Sequence, residues 1–251
     1  MTTNLEIQRS IIKPVYAGRW MIVGRNNSGF LTVIYAIMGG GADSQNRNLV
    51  LSRNKLDFMV RVDPINPDAV TNPELVLYDA IRSVSFTDGT RGIVVSNGRQ
   101  TESLALMKRP EEFVPTLDRW THEPDTANTS RISAMIHIGF VTPMVSMSII
   151  KAKSDDVTQS ERLTFVSLSD RAGEGHFIST YRGEADKHGC IPAFEEDRPV
   201  VMPLLGEAPE LAESYSGFLS HKYRVGLVAM TFNSDGTLHC SAFVNYGKPK
   251  S

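Results

Sequence analysis

Trp20 to Arg25 and Phe30 to Met38 are β-prone runs separated only by Asn26-Asn27-Ser28-Gly29, a hairpin signal that commits this part of the chain to antiparallel pairing. The signal returns near the other end, where Arg224 to Phe232 and Thr237 to Val244 flank Asn233-Ser234-Asp235-Gly236. Between them, Leu49 to Leu51, Phe58 to Val62, Arg131 to Ile138, Met144 to Ile150 and Arg162 to Leu168 read as further strands. Thr87-Asp88-Gly89-Thr90 turns into another, Gly92 to Ser96, which stops at Asn97-Gly98. Helical signals are fewer and grouped. Asn72-Pro73 reads as N-cap and first residue of a helix running to about Arg82, and Glu102 to Trp120 as a helical region that Pro110 and Pro115 break in two. Leu211, Ala212, Tyr215, Phe218 and Leu219 share one helical stripe behind Pro209. This order predicts an α+β fold, with helices packed on antiparallel sheets, and not a parallel βαβ arrangement.

Regular alternation starts only around Tyr16-Ala17-Gly18-Arg19, so residues 1–15 are expected to form an N-terminal arm and 16–251 a single domain with no dividing linker. The formal net charge of -2 gives no general attraction for nucleic acid or an anionic membrane, so any phosphate must be met locally. No apolar run approaches the roughly 18 residues needed to span a bilayer, and Met1 to Glu6 lack the pattern of a signal peptide; a cytoplasmic protein is expected. Cys190 and Cys240 are too few for a disulfide framework or a thiolate metal site, and the six histidines show no ligand spacing. No metal is expected. A small molecule is the expected partner, and self-association stays open.

Several motifs place polar groups where elements end. Gly173-Glu174-Gly175-His176 precedes Phe177-Ile178-Ser179-Thr180-Tyr181; the glycines permit close backbone approach to a ligand, and strand spacing puts Glu174 and His176 on one face. A functional pair and a solvated turn fit these residues about equally. Gly39-Gly40-Gly41-Ala42-Asp43-Ser44-Gln45-Asn46-Arg47 is a loop able to offer backbone N–H groups to an anion, although most glycine runs are plain turns. On the expected helix, Tyr78 and Arg82 share a face at i, i+4 and could grip one ligand, against the commoner outcome of a packed tyrosine. Asn97-Gly98-Arg99-Gln100-Thr101 offers amide and hydroxyl groups to a heterocycle, although these residues by themselves read rather as an ordinary turn.

Taken in order, Tyr16-Ala17-Gly18-Arg19, the loop ending Asn46-Arg47, the region from Asp63-Pro64 to Arg82, Val95 to Glu102, Arg131-Ile132-Ser133 and Gly173 to Tyr181 resemble the PurO-type inosine monophosphate cyclohydrolases over about residues 16–245. The resemblance implies a four-layer αββα fold like that of N-terminal-nucleophile hydrolases, without autoprocessing. It also implies closure of 5-formamidoimidazole-4-carboxamide ribotide to inosine monophosphate, with loss of water and without metal or organic cofactor. Tyr78 and Arg131 match family positions, the latter with Ser130 in place of the usual proline, and Glu123 falls where the family carries a carboxylate. Gly40 and Gly41 stand where arginine and serine are usual, and Gln45 replaces another common arginine.

Ring closure requires a base for the carboxamide nitrogen, a donor for the formyl oxygen and an acid for its departure as water. The resemblance assigns proton transfer to Glu123, oxyanion donation to Tyr78, and charge stabilisation or phosphate binding to Arg131 or Arg47. Arg19, Asn46, Arg82, Asn97, Thr101, Glu174 and His176 complete the expected binding set. Competing readings are a divergent cyclodehydratase or amide hydrolase, a nucleotide-binding protein without turnover, and an autoprocessing hydrolase starting at Thr2, which lies too far ahead of the first strand.

Overall fold

The computed structural model describes residues 16–54, 57–139, 143–168, 171–183 and 192–248. The expected arm, residues 1–15, and Cys190 lie outside the described residues. The hairpin that opens the chain forms as read: β1 (Arg19–Arg25) and β2 (Leu31–Met38) pair antiparallel. Asn26 closes their turn, its side-chain oxygen accepting from the Phe30 N–H at 2.8 Å while its amide donates to the Gly206 carbonyl at 2.9 Å. That second bond ties the turn to a distant loop, which explains a fully buried asparagine at a hairpin tip.

The remaining strands are β3 (Arg47–Arg53), β4 (Phe58–Pro64), β5 (Tyr78–Ser85), β6 (Arg91–Ser96), β7 (Arg131–Ile138), β8 (Pro143–Ala152), β9 (Ser160–Leu168), β10 (Glu174–Ser179), β11 (Val200–Pro203), β12 (Arg224–Phe232) and β13 (Leu238–Asn245). They form a six-stranded sheet in the order β11-β10-β1-β2-β12-β13 and a seven-stranded meander, β3 through β9. The helices are α1 (Ala42–Gln45), α2 (Pro73–Val76), α3 (Gln100–Ala105), α4 (Phe113–Leu117) and α5 (Ala208–Ser216). Pro115 does not break α4, because it sits in the first turn, where its missing N–H would have no intrahelical partner. The α+β class with antiparallel sheets is therefore present.

Alternating burial on the meander makes two apolar faces. Ile93, Val95, Ile132, Ala134 and Ile136 join the main core with both sheets, whereas Val94, Met135 and Ile150 join Leu104 of α3 and Phe113 and Leu117 of α4. The sheets meet through β1 with β7 and β3 with β12, and α5 packs on β12 and β13, its Tyr215 ring 6.2 Å from that of Trp20. Each fully buried Trp, Ile or Phe on these faces contributes about 1.5–3 kcal/mol.

The helix after Asn72-Pro73 ends at Val76, and Tyr78 to Ser85 is a strand inside the meander, paired on both sides. A short apolar run does not distinguish the two periods, and neighbouring strands decide it. Arg61 pairs with Asp79 and Val60 with Ile81, so Ala80 is an extra, bulged residue that reverses the alternation. Tyr78 consequently joins the main core, while Val84, two residues beyond Arg82, joins the cluster under the helices.

Candidate active site

Antiparallel order brings certain strand ends to one end of the sandwich: the starts of β1, β3, β5 and β7, and the finishes of β6 and β10. Arg19, Arg47, Tyr78, Asn97, Arg131 and Tyr181 all lie there. The first of these is held by Gly18, whose φ is +69° and where an added Cβ would fall 2.1 Å from Thr180 Oγ1 and 2.5 Å from the Tyr181 ring. Only glycine permits that approach, and the Arg19 N–H donates to Thr180 Oγ1 at 3.1 Å.

Arg19 is the hub of the cluster. One terminal nitrogen donates to Glu123 Oε2 at 2.5 Å, with only 11% and 3% of the two side chains exposed. Burial alone would lower its pKa, but the Glu123 carboxylate and the neighbouring Tyr78 and Tyr35 raise it well above the ordinary value. Glu123 Oε1 lies 3.8 Å from Arg131 Nη1. The backbone N–H of Glu123 donates to the Thr129 carbonyl at 2.8 Å, fixing the carboxylate's loop beside β7.

Arg131 is fixed on three sides. Its Nε donates to the Thr121 carbonyl at 2.9 Å, its Nη1 to Gln100 Oε1 at 3.0 Å, and its guanidinium lies 4.9 Å from the Trp120 ring centre. Burial lowers its pKa, partly offset by Glu123. Gly98 makes room for this assembly, since a Cβ there would sit 2.7 Å from Arg131 Nη1 and 2.8 Å from Gln100 Oε1.

Arg47 differs from the other two cations. It is 1% exposed, its Nε donates to the Ser44 carbonyl at 2.9 Å, and among the described residues no carboxylate lies within ion-pair distance of it. Burial pulls its pKa down, with Tyr78 the largest opposing influence. Tyr78 shares a 2.8 Å hydrogen bond with Tyr35, hydroxyl to hydroxyl, and the Tyr35 phenol lies in the field of both Arg19 and Arg47. A third aromatic group borders them: Tyr16 stacks on Tyr181 at 5.6 Å and meets Tyr223 edge-on at 5.0 Å. Burial raises the Tyr181 phenol to about 12, and its hydroxyl meets that of Thr129, which gives its one proton to Asp125 at 2.5 Å. Glu123 is shared by Arg19 and Arg131 while Arg47 has no carboxylate beside it among the described residues, which leaves the cluster a positive surplus suited to an anionic ligand.

Other expected binding residues serve the frame. Asn97 accepts from the Ile132 N–H at 2.8 Å and donates to the Ser130 carbonyl at 2.9 Å, clamping β6 to β7. Asn46 exchanges two bonds with the Asn66 backbone, at 2.8 and 2.9 Å, and Thr101 donates to the Gly98 carbonyl at 2.9 Å. Each spends its polar groups on backbone.

Arg82, Glu174 and His176 are not brought into the cluster. Arg82 ion-pairs with Asp79 at 3.2 Å and lines an open depression of about 460 Å³ with Asp57 and Met59. On β10, Ser179 lies opposite Trp20 but Gly175 lies opposite Gly24, so Glu174 sits at the far end of the strand, roughly 20 Å from Arg19 at the usual rise per residue. His176 is buried opposite Val23. The motif's later residues, Thr180 and Tyr181, are the ones that reach Arg19. Tyr35 and Gln100 also belong to the cluster, although in the sequence Tyr35 sits in an unbroken apolar run that reads as core and Gln100 lies inside the Asn97 to Thr101 turn. Among the described residues no group of three or more His, Cys, Asp or Glu side chains could hold a metal ion, and no helix is long and apolar enough to cross a membrane.

The loop that departs from the family pattern folds into α1. Gly40 is exposed, and a Cβ there would lie 3.3 Å from the Tyr223 ring; Gln45 turns back to donate to the Gly39 carbonyl. No curated protein matches the sequence. The model of the IMP cyclohydrolase-like protein family does match, over residues 16–236. Because that span holds every strand but β13 and every member of the Arg19 cluster, the chain belongs to the IMP cyclohydrolase-like family.

Proposed function

We propose that the chain is an inosine monophosphate cyclohydrolase, closing the six-membered ring of 5-formamidoimidazole-4-carboxamide ribotide with release of water. The observation that carries this reading is the position of Arg19, bonded to Glu123 on one side and in the field of the Tyr35–Tyr78 pair on the other. It brings a carboxylate and a phenol to the same guanidinium, as ring closure requires. Glu123, with Oε2 held by Arg19, uses Oε1 to take the proton from the carboxamide nitrogen as that nitrogen attacks the formyl carbon. Tyr78 donates to the formyl oxygen as it becomes negative. Glu123 returns that proton to the oxygen to give a hydroxyl; the formamido N–H supplies the second proton, and as its nitrogen forms the ring C=N bond the C–O bond breaks and water leaves. Arg47, buried with no carboxylate beside it among the described residues, receives the ligand's phosphate or carboxamide oxygen. Helices against each sheet, with the sheets packed together, support the αββα order of N-terminal-nucleophile hydrolases, used here without autoprocessing.

Incubating the purified protein with the formamido ribotide and resolving inosine monophosphate by chromatography tests the proposal. Release no faster than in buffer overturns it. A second reading, a related cyclodehydration or amide hydrolysis on a different substrate, is favoured by one observation: Gly40, Gly41 and Gln45 leave the Tyr223 side of the cluster without the family's usual cations. Gly40→Arg separates the two. Tighter binding of the ribotide would show that a contact had been lost, and unchanged or weaker binding would favour the different substrate if the parent turns over poorly.

A further inference from the structure

The two tyrosines at the centre of the cluster hold two hydroxyl protons and share one hydrogen bond, 2.8 Å long. Only one proton can lie between the oxygens, so the other points elsewhere. Among the described residues neither phenol has another hydrogen-bond partner. The charged groups acting on them are Arg19 from β1 and Arg47 from β3, which can only donate. Tyr35 has no exposed surface and lies within the main core, so a proton directed away from Tyr78 there would find no acceptor. Tyr78 keeps 5% of its surface exposed, and its proton can be met by a ligand.

We infer that Tyr35 is a positioning residue that donates its hydroxyl proton to Tyr78 and so turns the Tyr78 proton outward, toward the formyl oxygen of the substrate. The inference rests on the reading of this cluster as a ring-closing site. It explains why a phenol stands in the otherwise apolar run Val33 to Met38 of β2, where phenylalanine would pack as well. Burial, followed by the influence of Tyr78, holds the Tyr35 phenol well above its usual range, so it keeps the proton it donates. A hydroxyl that accepts one hydrogen bond also donates the next more strongly, which improves Tyr78 as an oxyanion donor.

The donor direction is tested in ligand-free protein by infrared difference spectroscopy with ring-labelled tyrosine, the Tyr78 band being assigned from Tyr78→Phe. A phenol's C–O stretch lies lower when its oxygen accepts than when its hydroxyl donates. In Tyr35→Phe the Tyr78 band therefore moves to higher frequency; movement to lower frequency overturns the inference. If Tyr35→Phe does not fold, the Tyr35 band is followed in Tyr78→Phe instead, where losing its acceptor must move it down. No movement, or an upward one, also overturns it. In turnover, Tyr35→Phe lowers kcat by about 10-fold or more with KM unchanged, and adding it to Tyr78→Phe costs nothing further, because Tyr35 acts through Tyr78. A parent-level kcat, or additive losses, would refute the role. If the parent does not cyclise the ribotide, the ring-closing reading fails by itself, and the infrared shift still decides which tyrosine donates.

Discussion

Replacing Arg47 with methionine removes a buried guanidinium while keeping an unbranched apolar stem of similar reach. In the ligand-free protein the change loses one hydrogen bond, from Nε to the Ser44 carbonyl, worth about 1 kcal/mol. It also relieves the desolvation of a 1%-exposed cation with no carboxylate beside it among the described residues, a penalty of several kcal/mol in folded proteins. The second effect is larger, so Arg47→Met is expected to be as stable as the parent or more stable by about 1–3 kcal/mol. At roughly 2–4 °C per kcal/mol for a chain of this size, the change is readable by calorimetry. Ligand binding should move the other way. A lost charged hydrogen bond costs about 1.5–3 kcal/mol, which weakens inosine monophosphate roughly 10- to 150-fold in a titration. Opposite signs of the two effects mark a residue kept for the ligand and not for the fold. A variant that melts well below the parent and binds nucleotide unchanged would refute this reasoning and make Arg47 a structural strut.

Glu123→Gln and Tyr78→Phe should each lower kcat by about 100-fold or more while the thermal transition is retained; parent-rate turnover in either removes that residue from the chemistry. Gly18→Ala forces a Cβ against Thr180 and Tyr181 at positive φ, and should cost about 1–3 kcal/mol or more in urea unfolding as well as most of the activity; a neutral result would mean that β1 and β10 close differently. Glu174→Gln and His176→Asn, at the far end of β10, should leave kcat at the parent level, and a large loss in either would relocate the site. Tyr181 titrates near 12 when folded and near 10 when unfolded, so the folded state holds the proton that the unfolded chain gives up. Stability from this group is fully present below pH 10 and falls between about 10 and 12, by about 2–3 kcal/mol. Tyr181→Phe should flatten that part of the alkaline unfolding curve, and an unchanged curve would refute the shift.

Turn chemistry made most of the strands legible. Asn26 to Gly29, Asp88-Gly89 and Asn233 to Gly236 each close a hairpin whose strands match the alternation of the residues on either side. Tyr78 to Ser85 was not legible as a strand, because its pattern serves either period and a bulge at Ala80 disrupts the register. Residue types at the site could be named from the sequence, but their roles could not be sorted. A strand motif has two ends, and nothing local says that Thr180 and not Glu174 faces Arg19. Asn46, Asn97 and Thr101 look like ligand groups until their backbone partners are known, and Tyr35 looks like core until Tyr78 is placed beside it.

The bond between Arg19 and Glu123 joins a residue of the six-stranded sheet to a loop anchored on the seven-stranded one. Neither half can therefore carry the reaction by itself, and the site comes into being only when the halves dock. In a refolding experiment, regain of turnover should trail regain of the β-sheet circular dichroism signal, since strands can pair within each half before the halves meet. On gentle denaturation the order reverses: turnover is the first property lost, as soon as the halves begin to slip against each other.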